Sequence, residues 1–386
     1  MRDALIEGIA LACLLLAMLG CIHALVAAFV VRRFAARPVA VAATHPGVTI
    51  LKPLRGAEPA LFANLASFCE QDYRGPVQVL FGVADPDDAA IAVVDALIRD
   101  RPAADLRLCM TTGARGANPK VANLAAMQSA IAHDIVVIAD SDIAVDRDYL
   151  ARLIAALERP GVGLVTCLYR GEAHGGLWAR LAAMAIDYRF LPDVLVGLAL
   201  GLARPCFGST IALRRETLRA IGGFDAFVEQ LADDYAIGAA VRAAGLTVAI
   251  PPLIVRHGFS ERTAFELLRH ELRWARTLRA ASPAGYAGLA ITHPLPCALS
   301  WAILGGAGTL GWTVVAAAIA CRLVLHVQVD HTLGARSRSG WLGPARDLLA
   351  FAVYVASFFV GVVSWRGHRY RVRADGTLRP LGDQKA

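Results

Sequence analysis

Ile135-Val136-Val137-Ile138-Ala139-Asp140-Ser141-Asp142 is the stretch on which the fold turns. Its apolar, mostly β-branched start reads as a strand buried on both faces, and it runs straight into two carboxylates separated by one serine. In an open α/β sheet, ligands bind beyond the carboxyl ends of the strands, so aspartates placed there can meet a metal and a phosphate. An isolated Asp-x-Asp is also a common solvated turn or helix cap, so the flanking sequence has to decide.

Upstream, residues 48–51 (VTIL) read as a strand ending in Lys52-Pro53-Leu54-Arg55-Gly56, a turn carrying two cations. Helices at 59–71 and 89–100 alternate with strands at 77–83 and 106–110, the first of these strands running into Ala84-Asp85-Pro86. A polar, Gly-rich loop (111–120) and a helix (123–132) lead back to the quoted strand. This alternation with short connections predicts a parallel sheet with helices on its faces. Downstream the pattern gives a helix at 149–157, strands at 163–168 and 211–214, a helix at 236–244 opened by Asp233-Asp234-Tyr235, and a strand at 246–250. A helix at 263–279 carries His270-Glu271-Leu272-Arg273-Trp274.

The two ends have a different character. Overall the chain is 56% hydrophobic and 18% charged, with the apolar excess concentrated at the termini and ordinary globular composition between them. Residues 4–31 are almost uninterrupted Leu, Ala, Ile and Val, enough for a helix to cross a hydrocarbon core, which needs about 20 residues. Arg32, Arg33 and Arg37 follow at once, placing the next domain in the cytoplasm by the positive-inside rule. A cleaved leader fits less well, because the apolar run is too long and positive charge follows it. Residues 177–204 are apolar but interrupted by Arg180, Asp187, Arg189 and Asp193, which favours helices lying in the membrane interface. From 294 to 329 the chain is again membrane-like, and Gly305, Gly306, Gly308 and Gly311 allow either one tilted helix or a hairpin of two short ones. Residues 347–365 read as a further span, followed by an arginine-rich tail.

A net charge of +7, with arginines beside the apolar segments, points to anionic lipid headgroups as a partner. No nucleic-acid-binding motif is present. The eight cysteines lack any Cys-x-x-Cys spacing and read as small buried hydrophobes in a reducing compartment.

Asp85, Asp140 with Asp142, and Asp234 all fall just past expected strands or at a helix start. Converging on one sheet edge, they would repel one another unless a divalent cation neutralised them. Such a cation would hold the diphosphate of a nucleotide and stabilise it as a leaving group. Arg273 could grip the diphosphate with its planar fork, or face lipid phosphates with Trp274 at the interface. Asp234 could equally be an N-cap and Asp85 a plain turn residue. His257, His293 and His326 read as structural or interfacial.

The segment 47–88, Asn118-Pro119-Lys120-Val121-Ala122-Asn123-Leu124, Asp140-Ser141-Asp142, Gly208, Asp233-Asp234-Tyr235, Arg273-Trp274 and the closing 365–373 together resemble the ceramide glucosyltransferase family, inverting glycosyltransferase family 21, in the same order over nearly the whole chain. The resemblance implies a glycosyltransferase-A fold, α/β with N- and C-terminal transmembrane helices, and transfer of a sugar from a UDP-sugar to a lipid hydroxyl with inversion. It implies four segments: an N-terminal anchor (1–33), a cytoplasmic catalytic domain (44–290), a C-terminal transmembrane region of two or three helical segments (291–365) and a basic cytoplasmic tail (366–386).

By the same resemblance Asp234 is the expected catalytic base, with Asp233 the alternative. Asp85, Asp140, His270, Arg273 and Trp274 are expected to bind the donor, while Asp142 with Asp140 holds Mg²⁺ or Mn²⁺. Apart from the resemblance, Lys52 and Lys120 read as further donors to the nucleotide, against the commoner alternative of solvated lysines. His270 stands where the family has Gln or Arg, and that feature resembles the hopanoid-biosynthesis branch, which transfers N-acetylglucosamine to a bacteriohopane polyol at the bacterial inner membrane. Ceramide glucosylation from UDP-glucose is the alternative. A polysaccharide synthase would need more spans, and a nonenzymatic lipid-binding protein would be expected to lack at least one of the carboxylates.

Overall fold

The computed structural model describes residues 2–305, 308–334, 340–359, 362–365, 368–372 and 378–380. The chain divides into two compact units, one of Met1–Arg37, Gly175–Arg204 and Glu261–Gly361, the other of Pro38–His174, Pro205–Ser260 and Val362–Ala386. These units cut across the expected 44–290 domain: residues 175–204 and those from 261 onward group with the apolar helices.

The α/β unit is built on strands β1 (Val48–Leu54), β2 (Val77–Val83), β3 (Asp105–Met110), β4 (Ile135–Ile138), β5 (Ile143–Ala144), β6 (Val162–Thr166), β7 (Leu168–Ala173), β8 (Ile211–Arg214), β9 (Thr247–Ala249) and β10 (Ile254–Phe259). Seven of them form one sheet in the order β3-β2-β1-β4-β8-β6-β9. Every residue of β1 and β4 is buried, the result of covering both faces of a central strand with apolar side chains. One face packs Val48, Ile50, Val137 and Phe81 with the helices Leu61–Cys69, Ala90–Asp100 and Tyr149–Leu157; the other packs Leu51, Leu80, Val136 and Ile138 with Pro119–Met127 and Asp233–Ala243.

The sheet is mixed, not wholly parallel as the alternation suggested: β8 runs antiparallel to both β4 and β6. The chain enters β8 from Gly208, beside the carboxyl end of β4, so the strand can only run back along its neighbour. A second sheet, β5-β10-β7, went unread in the sequence. It pairs His257 with Ile143 immediately after the Asp-Ser-Asp turn.

In the other unit, Arg2–Ala35 is a single 34-residue helix, about 50 Å long at 1.5 Å per residue. Its buried positions are mostly small, among them Ala10, Ala17, Gly20, Ala24 and Ala27, which lets backbones approach closely. A Cβ on Gly20 would stand 2.8 Å from the Ile291 carbonyl oxygen and 2.9 Å from Pro294 Cβ. The 294–329 region is neither one helix nor two short ones: Pro294–Leu304 is followed by a 25-residue helix, Thr309–Leu333, with Gly306 outside the described residues. The last apolar helix ends at Phe359, so the expected span to 365 is cut short by a strand, Val362–Trp365. Among the described residues, three helices are long and apolar enough to cross a membrane, or up to four if Pro283–Thr292 and Pro294–Leu304, bent by 64°, form one span. In the tail, His368–Val372 pairs antiparallel with both Val362–Trp365 and Leu378–Pro380, while Arg366, Arg373 and residues 381–386 lie outside the described residues.

Candidate active site

The turn Asp140-Ser141-Asp142 is fixed by its backbone. The Asp140 carbonyl accepts from Lys52 Nζ at 2.5 Å, the Ser141 carbonyl from Asn64 Nδ2 at 3.2 Å and the Asp142 carbonyl from the Gly258 amide at 2.8 Å. Three elements, β1, the helix Leu61–Cys69 and β10, thus hold three consecutive carbonyls, which restricts where the two carboxylates can go.

Lys52 was expected to reach a nucleotide, and its position differs. The side chain is fully buried, with Nζ beneath the turn and 3.8 Å from the Phe68 ring centroid. Burial pushes its pKa down to about 7, against the opposing pull of Asp142 and Asp140. Its place makes it a support for the turn, since it lies within β1, where every side chain is enclosed.

Beside Asp140 lies a cluster assembled from three distant stretches. Lys120 Nζ sits 2.7 Å from Asp140 Oδ1 and 3.5 Å from Asp233 Oδ2. Burial works against the ammonium, but Asp140, Asp233 and Asp234 together raise its pKa. The helix carrying Lys120 begins at Pro119, four residues earlier than the sequence pattern suggested, because Asn118 caps it: Oδ1 accepts from the amides of Lys120 and Val121. Asn118 Nδ2 donates to the Gln230 carbonyl at 2.8 Å and to Asp233 Oδ1 at 3.2 Å, tying that cap to the loop before Asp234. The Asn-Pro pair was the available signal for this start.

Asp234 opens the helix Asp233–Ala243. Its Oδ2 accepts from the Gly208 amide at 2.9 Å and its Oδ1 from the Tyr235 amide at 2.7 Å. Burial and the neighbouring Asp233 push its pKa up to about 6, despite Lys120 and the two amide donors. Gly208 stands at the centre of the group: a Cβ there would meet Lys120 Nζ at 2.9 Å, Asp140 Oδ2 at 3.0 Å and Asp234 Oδ2 at 3.6 Å.

Asp142 faces His257 instead, with Oδ2 and Nε2 2.9 Å apart. This imidazole, read from sequence as structural or interfacial, belongs to the carboxylate site. Burial lowers its pKa, yet Asp142 outweighs burial and the net shift is upward. Tyr169 meets His257 edge-on at 5.3 Å and Phe207 at 5.9 Å, and burial with Asp234, Asp142 and Asp140 nearby raises its phenol pKa strongly. Neither His257 nor Tyr169 carries a short motif. Only the pairing of β10 with β5 and β7 brings them in.

Asp85 lies two residues past β2 on the same carboxyl edge, exposed, with Oδ1 accepting from the Asp87 amide at 3.0 Å. Next to it Asp88 accepts from the Gly56 amide at 2.8 and 3.0 Å and caps the following helix through the Ala90 amide. His270, Arg273 and Trp274 occur on Ala264–Ala281 in the apolar unit. There His270 Nδ1 is 2.6 Å from Glu261 Oε1 and its ring meets Trp274 edge-on at 4.6 Å.

As donor types for Mg²⁺ or Mn²⁺ the carboxylates of Asp142 and Asp140 fit, and an imidazole is an acceptable ligand for the latter. Among the described residues no three His, Cys, Asp or Glu side chains stand poised around one point. Lys120 pairs with Asp140, and the His257 imidazole lies against Asp142, so each carboxylate already has a partner on the protein side.

A family model described as Glycosyl transferase family 21 matches residues 12–378. Ceramide glucosyltransferase 1 of Caenorhabditis elegans is 24% identical over 351 residues, covering 87% of this chain and 74% of that protein. The ceramide glucosyltransferase of Komagataella phaffii is 38% identical over 117 residues, 29% of this chain and 23% of that one. Among solved structures, the mannosyltransferase PcManGT from Pyrobaculum calidifontis, in complex with GDP-Man and Mn²⁺, superposes with a TM-score of 0.52 at 21% identity, covering 92% of this chain and 99% of that one. The expected α/β glycosyltransferase-A fold stands on these matches.

Proposed function

The chain belongs to glycosyl transferase family 21 and is a nucleotide-sugar glycosyltransferase; from this premise we propose that it moves a sugar from a UDP-sugar to a hydroxyl of a membrane lipid with inversion. The observation that carries the reading is the cluster of Asp140, Lys120, Asp233 and Asp234 about Gly208, next to the Asp142–His257 pair.

Asp234 is the base of this scheme. Two backbone amides orient its carboxylate, and a pKa of about 6 leaves it ionised but basic near neutral pH, the range in which a general base works best. The lipid oxygen forms its bond to the anomeric carbon as the bond to the UDP oxygen breaks, and the hydroxyl proton passes to Asp234. Asp233, bound by Asn118 and Lys120, keeps its neighbour's pKa high. A divalent ion, held by Asp142 with Asp140 and beside His257, would supply charge neutralisation for the departing diphosphate. Asp85 is assigned to the nucleoside, Lys120 to the phosphate side of the donor, and His270, Arg273 and Trp274 to the diphosphate.

For the acceptor, we read N-acetylglucosamine transfer to a bacteriohopane polyol at a bacterial inner membrane, with the α/β unit facing the cytoplasm. His270 in place of the family's Gln or Arg supports this assignment. Glucose transfer to ceramide is the second reading, favoured by the names of the relatives. Membranes containing the protein are given UDP-N-acetylglucosamine or UDP-glucose with a hopanoid polyol or ceramide, and products are identified by mass. A glycosylated hopanoid is the expected product; transfer to neither lipid would overturn the lipid reading.

A further inference from the structure

The loop that leads into the proposed base is docked on a second loop, and Asn118 stands at their junction. The segment 116–118, which follows β3, packs on the segment 228–230. Gly116 has φ +145°, and a Cβ there would stand 2.7 Å from Val228 Cβ. The Ala117 amide donates to Glu229 Oε1 at 3.3 Å, and the Asn118 amide to the Val228 carbonyl at 2.7 Å. Asp233 and Asp234 then open the helix Asp233–Ala243.

The Asn118 side chain is fully buried and uses both ends of its amide. Oδ1 accepts from the Lys120 and Val121 amides at 3.0 and 3.3 Å, while Nδ2 donates to the Gln230 carbonyl at 2.8 Å and to Asp233 Oδ1 at 3.2 Å. This orientation is forced, because the two backbone amides can only donate and the Gln230 carbonyl can only accept. An aspartate would cap the helix as well, but its carboxylate has no hydrogen to donate. Capping alone therefore does not call for asparagine; the two donated bonds do. The edge of the sheet near Asp85 is braced separately, since Asn123 Nδ2 donates to the Gly82 carbonyl at 2.8 Å and Asn123 Oδ1 accepts from Thr111 Oγ1 at 3.1 Å.

We infer that Asn118 is a positioning residue for sugar transfer: by holding Gln230 and Asp233 it sets where the loop 228–232 delivers Asp234, while its oxygen starts the helix that presents Lys120. The inference rests on Asp234 being the base. One side chain thus keeps the cation beside Asp140 and the base in a fixed relation as both approach Gly208. Loss of the two donated bonds leaves a buried carbonyl and carboxylate short of a donor, which is costly and shifts the loop. Lys120, still capped, and the separately braced Asp85 edge stay in place. The expected signature is a fall in kcat with the donor KM kept.

The full chain is assayed in membranes with the UDP-sugar and lipid that product analysis identifies, and a melting curve is taken for each variant. Asn118→Asp keeps the cap but turns an oxygen toward the Gln230 carbonyl and Asp233, so kcat should fall about ten- to a hundredfold with donor KM within about twofold. Asn118→Ala loses the cap too, so its donor KM should also rise. Adding Asp233→Asn to Asn118→Asp sets a donor against an acceptor again, and kcat should exceed the product of the two single losses by at least about threefold. Asp234→Asn is measured alongside. Near-normal turnover in that variant would sink the base reading and this inference with it, whereas its loss beside an unchanged Asn118→Asp kcat would overturn this inference alone. A donor KM that rises in Asn118→Asp as in Asn118→Ala, or single losses that simply multiply, would overturn it as well. Hydrogen exchange needs no turnover: the peptide over 228–235 should exchange at least about tenfold faster in Asn118→Asp, with Val48–Leu54 unaltered. Equal exchange in both proteins would count against the inference. If Asn118→Asp fails to fold, Asn118→Ser, which caps with an arm too short to reach Asp233, takes its place.

Discussion

The amide of Gly208 donates to Asp234 Oδ2 at 2.9 Å although 26 residues separate them, which binds the amino end of β8 to the start of the helix that carries the proposed base. The approach is close enough that a methyl group at Gly208 would stand 2.9 Å from Lys120 Nζ and 3.0 Å from Asp140 Oδ2. Gly208→Ala should therefore fold, since Lys120 has a flexible end, yet lose at least about tenfold in kcat, because positioning errors of this size are costly to reaction geometry. Melting curves and steady-state rates measured together check this. A variant with unchanged kcat would mean that the cluster tolerates rearrangement.

Asp234→Asn should lower turnover by about 10²–10⁴-fold, the usual contribution of a positioned general base, while donor binding by calorimetry stays within a few fold. The sign of the pH effect follows from the raised pKa. Only the ionised carboxylate can take a proton, so kcat should be level above pH 7 and fall as pH drops through about 6. A profile with its acid limb near the ordinary Asp value, close to pH 4, would remove Asp234 from that role.

Much of the sheet was legible because its central strands are buried on both faces. Ile135–Ile138 is a continuous apolar run and Val77–Val83 is apolar but for Gln78, each with turn residues after it, and Asp140, Asp142 and Asp234 stand where such runs end or a helix begins. His257 and Tyr169 were not legible, since β10 reaches Asp142 only by pairing with a two-residue strand too short to have a pattern. Lys52 misled for a related reason: a lysine at a strand end normally reaches solvent, and only the covering turn and Phe68 reveal it as enclosed. The reversed direction of β8 likewise depends on Gly208 lying beside Asp140 at the carboxyl end of β4, which no local pattern encodes.

Lys120 is the cation that lets Asp140 and Asp233 lie together. Removing one partner of a buried ion pair costs about 3–5 kcal/mol; with Lys120 at 14% and Asp140 at 35% side-chain exposure, the lower end of that range or less applies. Lys120→Ala should lower Tm, and added Mn²⁺ should restore more of it than the ion gives to the unaltered protein, because the ion would then supply the missing positive charge. Scanning fluorimetry with and without Mn²⁺ reads the difference. An equal Mn²⁺ effect in both proteins would place the metal away from Asp140.

Lys52 allows support of the turn to be separated from contact with the donor. Its folded pKa of about 7 lies below the ordinary lysine value of 10.5, so between these values the unfolded chain binds more protons than the folded one. Linkage then requires stability to rise with pH across that window and to be lost as pH falls through about 7. Lys52→Met keeps the apolar stem and removes the charge, so its stability should show a flatter slope from pH 7 to 10 by urea denaturation. The same variant leaves the Asp140 carbonyl without its Nζ donor, so kcat should fall while the donor KM changes little. A large rise in donor KM with an unaltered pH slope would mean that Lys52 contacts the nucleotide directly.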